Sequence, residues 1–456
     1  MSELKKIKTV EEAKQLVNQR KLSHIKVGLF DNDGVLRGKY MARGKFFSAL
    51  DSGFSFCDVI LGWDCKDRIY DNTSVTGWHT GFPDKQVRVL PETVRELPYE
   101  ENMLLFLAEF SDEAEQVCPR GILRKVIEKA ASMGLWARAA CEYEFFLFQE
   151  TPDSIREKGY RNLKPFTPDS FGYSVIRNSV HSELYQQIIE MAQVMNFPIE
   201  SIHTETGPGV IEAALMVDDI LSAADKAALF KTFMKVLAER NGLMATFMAR
   251  WSSELAGQSG HIHMSLVNAN GESVFYDPSK PYGMSALQKH FIAGQQRLMP
   301  EFLALLAPTI NSYRRLVPGY WAPTRASWGI ENRTCALRLI PGNAKSQRVE
   351  YRLGAADASP YLALAAVLAS GLYGIEHELE PTEAVSGNAY SQKFPDEQTL
   401  PRSLYEAAQL LKGSEAALSY FGKTFVDHYA ATREWEEMEF RKHVTDWELA
   451  RYFEII

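Results

Sequence analysis

The stretch CEYEFFLF, residues 141–148, places two carboxylates one residue apart within a run of aromatic and aliphatic side chains. Residues i and i+2 of a β-strand point to the same face, so Glu142 and Glu144 are expected side by side, with Tyr143 and Phe145 on the opposite face. Two like charges this close repel each other unless a cation, a basic partner or a shared proton relieves them. Taken alone, the octet fits a solvated strand end as well as a metal site.

The composition describes a globular protein of more than one domain. The chain has 456 residues, of which 46% are hydrophobic and 24% charged, and its net charge is -8. An acidic balance without a long Lys/Arg run argues against a nucleic-acid partner, which would need basic side chains for phosphate contacts. Clusters of acidic side chains are better suited to binding cations.

The cysteines and the apolar segments favour a cytoplasmic protein without a membrane span. The five cysteines are scattered and lack the CxxC spacing of zinc or redox sites, which favours a reducing compartment. The charged N-terminus has no apolar core and is not expected to be a signal peptide. The uncharged run at 360–375 is short and rich in Ala, Gly and Ser, which predicts a buried helix.

The secondary-structure pattern changes near residue 112, which predicts an α+β protein of two domains. Residues 25–36 indicate two short strands around an Asp/Asn/Gly turn, and the β-rich pattern continues to about residue 112. Beyond it, strands alternate with long helices such as 224–242. We therefore expect a small N-terminal domain over 1–112 and a larger domain over 113–456.

Two further segments place polar side chains on strands. In HTETGPGVIEA, Glu205 and Glu212 flank a Gly-Pro-Gly turn, so two neighbouring strands could deliver both carboxylates to one place. In GHIHMSLVNANG, the Asn-Gly pair predicts a hairpin, and His261, His263 and Ser265 fall on one face of its first strand. That face is polar where a core-facing strand would be apolar.

The segment SQRVEYRL completes this polar surface with Arg348, Glu350 and Arg352 on one face. Each segment alone has an ordinary explanation, since a lone histidine is commonly structural and an Arg–Glu pair can be a cross-strand ion pair on a wet sheet. Together, the glutamates and a histidine on strands with apolar opposite faces form an oxygen-rich site suited to Mg²⁺ or Mn²⁺. Zinc would require more nitrogen or sulfur ligands.

The arginines indicate what such metals are for. RRLVPGYWAP, ENRTCALRLI and SQRVEYRL contain more arginines than the carboxylates need as structural partners, namely Arg315, Arg333, Arg338, Arg348 and Arg352. Divalent cations beside fixed guanidinium groups suit phosphoryl transfer, because both neutralise charge on the phosphate oxygens. No GxxxxGK[ST] loop is present, so a nucleotide would be held in another way. A remaining arginine could clamp a carboxylate substrate.

In their order and spacing, the elements ExEFFLF, ETGPGxxE, GHIHMSL, NSYRRLVPGY, NRTxxLR and RVEYRL resemble the glutamine synthetase family from about residue 25 onward. The resemblance implies a β-grasp-like N-terminal domain and a catalytic domain whose curved antiparallel sheet, backed by helices, holds two metal ions. It also implies active sites between neighbouring subunits, commonly in a homo-dodecamer of two stacked hexameric rings. The family's reaction phosphorylates the γ-carboxylate of glutamate, with ATP as co-substrate, and lets an amine displace the phosphate.

The resemblance also assigns roles to residues of this chain. The expected ligands of the first metal are Glu144, Glu205 and Glu212, and those of the second are Glu142, His261 and Glu350. The residues expected to hold glutamate are Arg315, Arg352 and Gly257. The residues expected at the nucleotide and its phosphates are Arg333, Arg338, Arg348, His263 and Ser265. Those expected at the reacting groups are Arg333, Arg352 and Trp321.

Several positions depart from the pattern of the ammonia-using members. PGYWAP presents Trp321 where those members carry a glutamate after PGY. Cys57 or the neighbouring Asp58 stands where they carry an aspartate that binds ammonium in the next subunit. Ala256 replaces an asparagine and Arg250 replaces a lysine.

The loss of these carboxylates predicts an amine larger than ammonia. Ammonium is a small hydrated cation that needs anions, whereas an alkylamine has hydrocarbon to bury. Trp321 could stack on such an amine, with a cation–π contact worth roughly 0.5–2 kcal/mol. We therefore expect an ATP-dependent ligase that joins an alkylamine or polyamine to glutamate. The alternatives are a glutamine synthetase that uses Asp58 for ammonia, with Trp321 merely packing, and a non-catalytic structural or regulatory ring.

Overall fold

Two β-sheets organise the chain, which the computed structural model describes over residues 3–456. The strands of the first sheet are β1 (His24–Phe30), β2 (Leu36–Ala42), β3 (Phe54–Cys57), β4 (Asp84–Val89), β5 (Arg95–Glu96) and β6 (Leu104–Phe110). They lie in the order β2-β1-β6-β4-β3, with β5 also paired to β6. β1 runs parallel to β6 and the other pairs are antiparallel, which gives the mixed sheet expected of a β-grasp-like unit.

The second sheet is larger and curled. Its strands are β7 (Trp136–Phe148), β8 (Ile199–Thr204), β9 (Val210–Leu215), β10 (Asp218–Asp219), β11 (Met244–Thr246), β12 (Gly260–Val267), β13 (Trp328–Ile330), β14 (Leu337–Ile340) and β15 (Arg348–Tyr351). The main order is β13-β14-β15-β12-β7-β9-β8, and β10 and β11 also pair with β7. All pairs are antiparallel except β13 with β14.

The described α-helices surround these sheets. They are α1 (Val10–Gln19), α2 (Arg43–Ser52), α3 (Pro119–Ser132), α4 (Pro152–Glu157), α5 (Val175–Val180), α6 (Ser182–Val194), α7 (Ile220–Arg240), α8 (Ala286–Leu306), α9 (Ser312–Arg315), α10 (Pro360–Glu376), α11 (Leu404–Gly413), α12 (Glu415–Phe421), α13 (Lys423–Arg441) and α14 (Asp446–Tyr452).

Helix α10 is the predicted buried helix. It begins with Pro360, whose missing N–H costs nothing at the first helical position. Its residues are buried from Pro360 through Leu372, and it packs against α3, α7 and α8. None of the helices within residues 3–456 combines the length and apolar character that crossing a membrane requires.

Strand β7 positions the two glutamates of the CEYEFFLF stretch. Glu142 and Glu144 lie in the middle of this 13-residue strand, which rules out the solvated strand end. Tyr143 and Phe145 point to the opposite face, are buried, and pack against Phe230 of α7. The alternation of apolar and acidic residues therefore turns the carboxylates away from the core.

The hairpin predicted after β12 forms only in part. The backbone N–H of Asn268 donates to the carbonyl of Glu272 at 2.9 Å, which closes the turn. Beyond the turn, Ser273 makes a single bridge to Val267. A longer returning strand has no edge to join, because β7 and β15 already flank β12.

A buried ionic network joins the first sheet to helices α3 and α7. Arg120 of α3 donates to Glu109 of β6 at 2.7 Å and to Asp225 of α7 at 3.0 Å. All three side chains are buried, so each charge depends on its partners. The predicted α+β class is confirmed, and the division between residues 112 and 113 stays a prediction.

Candidate active site

A cavity of about 680 Å³ opens on the polar face of the second sheet. Most of the residues singled out from the sequence meet here, although they come from segments more than 200 residues apart. The cavity is lined by Glu142, Glu144, Tyr173, Ser201, His203, Glu205, Thr206, Glu212, Ala256, Gly257, Ser259, His261, His263, Arg315, Tyr320, Trp321, Arg333, Arg338, Arg348, Glu350 and Arg352.

Strand register brings together a first cluster of ligand atoms. β12 pairs with β7 so that His261 is opposite Glu142, and with β15 so that His263 is opposite Glu350. His261 Nδ1 lies 3.1 Å from Glu142 Oε1 and 3.6 Å from Glu350 Oε1. Burial opposes ionisation of Glu142, but its hydrogen bonds with the two histidines hold its pKa well below the ordinary value.

A second cluster lies where β8 and β9 meet. His203 Nε2 lies 3.3 Å from both Glu205 Oε2 and Glu212 Oε1. The ring of Tyr173 stacks on His203 at 4.3 Å between centroids, and this contact holds the imidazole against the carboxylates. In this cluster, one ligand atom from each of the three residues lies within 4.8 Å of the others.

The carboxylates of both clusters crowd each other. Burial, together with the charges of Glu142, Glu144 and Glu205, raises the pKa of Glu212 to about 10. Glu144 also accepts a hydrogen bond from the backbone N–H of Ser259 at 2.7 Å, which fixes its carboxylate. This surplus of negative charge and the oxygen-rich donor set with imidazole fit Mg²⁺ or Mn²⁺.

Two arginines balance the charge of Glu350. Arg338 Nη1 donates to one carboxylate oxygen at 3.1 Å and Arg352 Nη1 donates to the other at 2.5 Å. Burial opposes ionisation of Glu350, but His261 and these arginines hold its pKa at about 2. Arg338 also donates from Nε to the exposed Glu331 at 3.0 Å.

The other arginines differ in how they are held. Arg315 is buried, and its two terminal nitrogens donate to the carbonyls of Leu353 and Arg352 at 2.9 and 3.1 Å. Arg348 donates from Nε to His263 Nδ1 at 3.2 Å. Arg333 is exposed at the cavity wall. The cavity therefore combines cationic groups fixed by hydrogen bonds with an exposed one at its wall.

Only a glycine fits at position 257. A Cβ atom there would lie 2.5 Å from the carbonyl oxygen of Ala249 and 2.7 Å from Cγ of Arg315. The backbone of Gly257 therefore approaches the buried arginine more closely than any side chain would allow.

Aromatic side chains form another part of the wall. Trp321 lines the cavity with 59% of its surface exposed, and Tyr320 lies beside it. The backbone of Trp321 adopts a φ of +60°, which is uncommon for a bulky residue. Such strain is stored where the surrounding structure holds a segment in place, and it often coincides with function.

Two predicted residues lie away from the cavity of this chain. Asp58 is buried in the N-terminal part, accepts a hydrogen bond from Thr76 Oγ1 at 2.8 Å, and has its pKa raised by burial. Ser265 lies further along β12, opposite Arg138. Neither residue is among those that line the cavity.

The sequence interpretation missed several residues of the site. His203 lies on β8 and precedes Glu205, the residue just past the end of that strand, by two positions, so the same alternation that places the glutamate also places the histidine. Tyr173 and Glu331 have no comparable signal. They lie in irregular segments, and only the folded chain brings them to His203 and Arg338.

Comparison with known proteins identifies the family of this chain. The family model for the glutamine synthetase catalytic domain matches residues 116–452. The class is therefore that of the ATP-dependent carbon–nitrogen ligases. The chain belongs to the glutamine synthetase family, which confirms the resemblance seen in the sequence motifs.

Relatives of more than one specificity match nearly the whole chain. Type-1 glutamine synthetase 2 of Dictyostelium discoideum is 44% identical over 450 residues, which cover 97% of this chain and 86% of that protein. The glutamate–isopropylamine ligase of a Pseudomonas species is 37% identical over 463 residues, covering 100% of each. A solved GmaS/ADP complex is similar at a TM-score of 0.84 and 25% identity, covering 97% of this chain and 99% of that one.

Proposed function

We propose that this chain is an ATP-dependent glutamate–amine ligase that joins an alkylamine or polyamine to the γ-carboxylate of glutamate. The products are a γ-glutamylamide, ADP and phosphate. The observation that carries the proposal is Trp321, a large exposed ring on the cavity wall. It stands where the resemblance implies a glutamate in ammonia-using members. The 37% identity to a glutamate–isopropylamine ligase over the full chain supports the same reaction.

The physical argument concerns the amine. An alkylamine buries hydrocarbon when it binds, which contributes about 0.8 kcal/mol per CH₂. Ammonium has no hydrocarbon and depends on anions to replace its hydration. A tryptophan ring favours the first ligand over the second, and a protonated amine held over its face would gain a cation–π contact as well.

The arginines would carry the phosphoryl transfer. In the proposed reaction, the γ-phosphoryl group of ATP moves to the γ-carboxylate of glutamate, and the amine then attacks the carbonyl carbon and expels phosphate. Arg333, Arg338 and Arg348 would neutralise charge on the phosphate oxygens, while Arg315 and Arg352 would orient glutamate. Such preorganised donors stabilise charge that develops during the reaction.

Divalent cations would occupy the carboxylate clusters. We assign Glu144, Glu205 and Glu212, near the cluster where β8 and β9 meet, to the first ion. We assign Glu142, His261 and Glu350, the cluster on β7, β12 and β15, to the second. When bound, Mg²⁺ or Mn²⁺ supplies positive charge at the phosphate oxygens. The close approach of carboxylates that raises the pKa of Glu212 supports this assignment, because their mutual repulsion is costly unless a cation lies between them.

The proposed assembly and location rest on the resemblance to the glutamine synthetase family. We propose a homo-dodecamer of two stacked hexameric rings in the cytoplasm, with residues 1–112 forming a β-grasp-like domain and 113–456 the catalytic domain. In that arrangement Asp58 would face a neighbouring subunit's cavity rather than its own. Asp58 does not line the cavity of its own chain, as this arrangement requires. Because it is buried and bonded to Thr76, the segment around it would have to open for Asp58 to reach the neighbouring cavity.

Phosphate release tests the proposal directly. Mg-ATP and glutamate are mixed with the enzyme and with ammonia, isopropylamine, putrescine or spermidine in turn. Release with an alkylamine or polyamine and little response to ammonia is the expected result and names the substrate class. Release with ammonia alone would make the protein a glutamine synthetase, the reaction named for its 44% identical relative. No release with any amine would favour a non-catalytic ring.

A further inference from the structure

Arg250 holds two loops of the cavity together through one guanidinium group. Nε donates to the carbonyls of Ser252 and Leu255, each at 3.0 Å. Nη2 donates to the carbonyl of Ser253 at 2.7 Å, and Nη1 donates to the carbonyl of Arg314 at 2.8 Å. Three of these carbonyls belong to the first loop, which follows Arg250. The fourth belongs to the short helix α9, 64 residues away, from which the second loop continues.

The backbone of Arg250 is tied to the same region. Its N–H donates to Asn311 Oδ1 at 2.7 Å, and Asn311 Nδ2 donates back to its carbonyl at 2.7 Å. The guanidinium also stacks on the ring of Tyr320, 4.5 Å from the centroid. The backbone and the guanidinium group of Arg250 are thus both held against the segment that contains Asn311, Arg314 and Tyr320.

These two loops carry neighbouring parts of the cavity wall. The first continues into Ala256 and Gly257, and the second continues into Arg315, Tyr320 and Trp321. A guanidinium offers five N–H donors in a rigid plane, whereas a lysine ammonium offers three donors around a single nitrogen. One ammonium cannot reach four carbonyls arranged around the plane of a guanidinium.

We propose that Arg250 is a positioning residue that sets the distance between these two loops and so shapes the pocket for the amine. The proposal rests on the proposed ligase function. Arg250 stands where the resemblance to ammonia-using members predicts lysine, and Trp321 stands where it predicts glutamate. The two changes would act together, because an amine with a carbon chain needs a defined apolar wall and ammonia does not.

The test is Arg250→Lys, which introduces the residue expected in related enzymes and so is compatible with folding. Phosphate release is measured with isopropylamine and putrescine, and the KM of each substrate is determined. We expect the KM for the amine to rise about tenfold, as displaced contacts predict, while the KM for ATP changes less than about twofold. Arg156→Lys is the matched control, since Arg156 donates to the carbonyl of Pro152 on the exposed helix α4.

A second variant separates positioning from simple loss of stability. Arg250→Gly should show the same defect, and added guanidinium at millimolar concentration should lower the KM for the amine again. A purely structural role would instead lower kcat with all KM values unchanged. That result, or failure of guanidinium to restore amine binding, would overturn the proposal.

A measurement without turnover keeps this inference separate from the proposed reaction. In protein labelled with 5-fluorotryptophan, the ¹⁹F resonance of Trp321 is identified by its loss in Trp321→Phe. Arg250→Lys should shift or broaden this resonance in the absence of substrates, and an unchanged resonance would overturn the positioning role. If the wild-type enzyme responds only to ammonia, the proposed amine is wrong, while the ¹⁹F result still decides whether Arg250 positions Trp321.

Discussion

At the residue scale, Glu350 is the side chain on which the charges of the site converge. It is 2% exposed and accepts hydrogen bonds from Arg338 and Arg352. Glu350→Ala would remove a proposed metal ligand and leave both guanidinium groups without this partner. We expect turnover to fall by at least about 100-fold, measured as phosphate release.

The same variant should also bind metal more weakly, which Mn²⁺ titration would detect. Loss of one partner from a buried ion pair costs about 3–5 kcal/mol, so thermal unfolding must be measured alongside. Glu350→Gln preserves the side-chain volume and serves as the control for folding. Near-normal turnover of Glu350→Ala would contradict the metal assignment.

Trp321 tests the choice of amine at the same scale. Trp321→Glu replaces the aromatic surface with the carboxylate expected in ammonia-using relatives. We expect the ratio of kcat/KM for ammonia to that for an alkylamine to rise by about tenfold or more, since losing a buried apolar contact costs about 1–3 kcal/mol. Trp321→Phe, which keeps an aromatic plane, should change the ratio much less. An unchanged substrate profile of Trp321→Glu would reject the role of the indole.

At the element scale, helix α7 carries a buried lysine with an unusual environment. Lys231 Nζ donates to the carbonyl of Ala358 at 2.7 Å and lies over the rings of Tyr143 and Phe247. Burial, with a smaller contribution from the charge of Lys235, lowers its pKa from 10.5 to about 7. The folded state therefore binds fewer protons than the unfolded state between these two pH values.

This difference in bound protons sets the direction in which stability changes with pH. Stability from this group rises as pH increases from about 7 to 10.5, and the full penalty for burying the charge is present below about 7. Lys231→Met removes the penalty and also the hydrogen bond to Ala358. We expect the stability of the variant relative to the wild type to fall by about 4 kcal/mol across this window.

Denaturant unfolding at several pH values measures this effect. Only the slope is diagnostic, because loss of the hydrogen bond adds a cost that does not depend on pH. Lys45→Met, on the exposed face of α2, is the control for introducing methionine. A difference between Lys231→Met and wild type that stays constant with pH would contradict a lysine that is neutral in the fold.

The strands show how far sequence reasoning reaches at this scale. Alternation along CEYEFFLF correctly placed Glu142 and Glu144 on one face of β7, because strand geometry depends only on neighbouring residues. The pairing of His261 with Glu142 depends on the register between β12 and β7, which are more than 100 residues apart. The Asn-Gly pair correctly predicted the turn after β12, but how far the returning chain pairs depends on the neighbouring strands, which determine which edges are free.

At the scale of the whole molecule, helix α13 docks on the N-terminal part of the chain. Arg433 of α13 donates to Asp33 at 2.9 Å, in the turn between β1 and β2. The ring of His428 lies 2.9 Å from the carbonyl of Leu61 and is buried. These contacts hold the N-terminal part, with Asp58, in a fixed relation to the cavity of its own chain.

The end of the chain supports the proposed assembly. Trp447, Phe453 and Ile456 are large apolar residues that this chain leaves exposed, and a neighbouring subunit would cover such side chains. We expect light scattering to give the mass of twelve chains, and replacement of Phe453 and Ile456 by serine to give smaller species. Val175→Ser, at an exposed apolar residue elsewhere, is the control. A wild-type monomer at micromolar concentration would contradict a dodecamer.

The sequence by itself determined the family, the α+β class, and which strands carry acidic and basic side chains. These follow from motifs and from alternation, which are local properties of the chain. The tertiary structure alone decided that His203 joins Glu205 and Glu212, that Arg250 bridges two loops, and that Asp58 lies outside its own chain's cavity. The physical reason is that these contacts join residues through strand pairing and loop packing, and no local pattern encodes the distance between segments that meet only after folding.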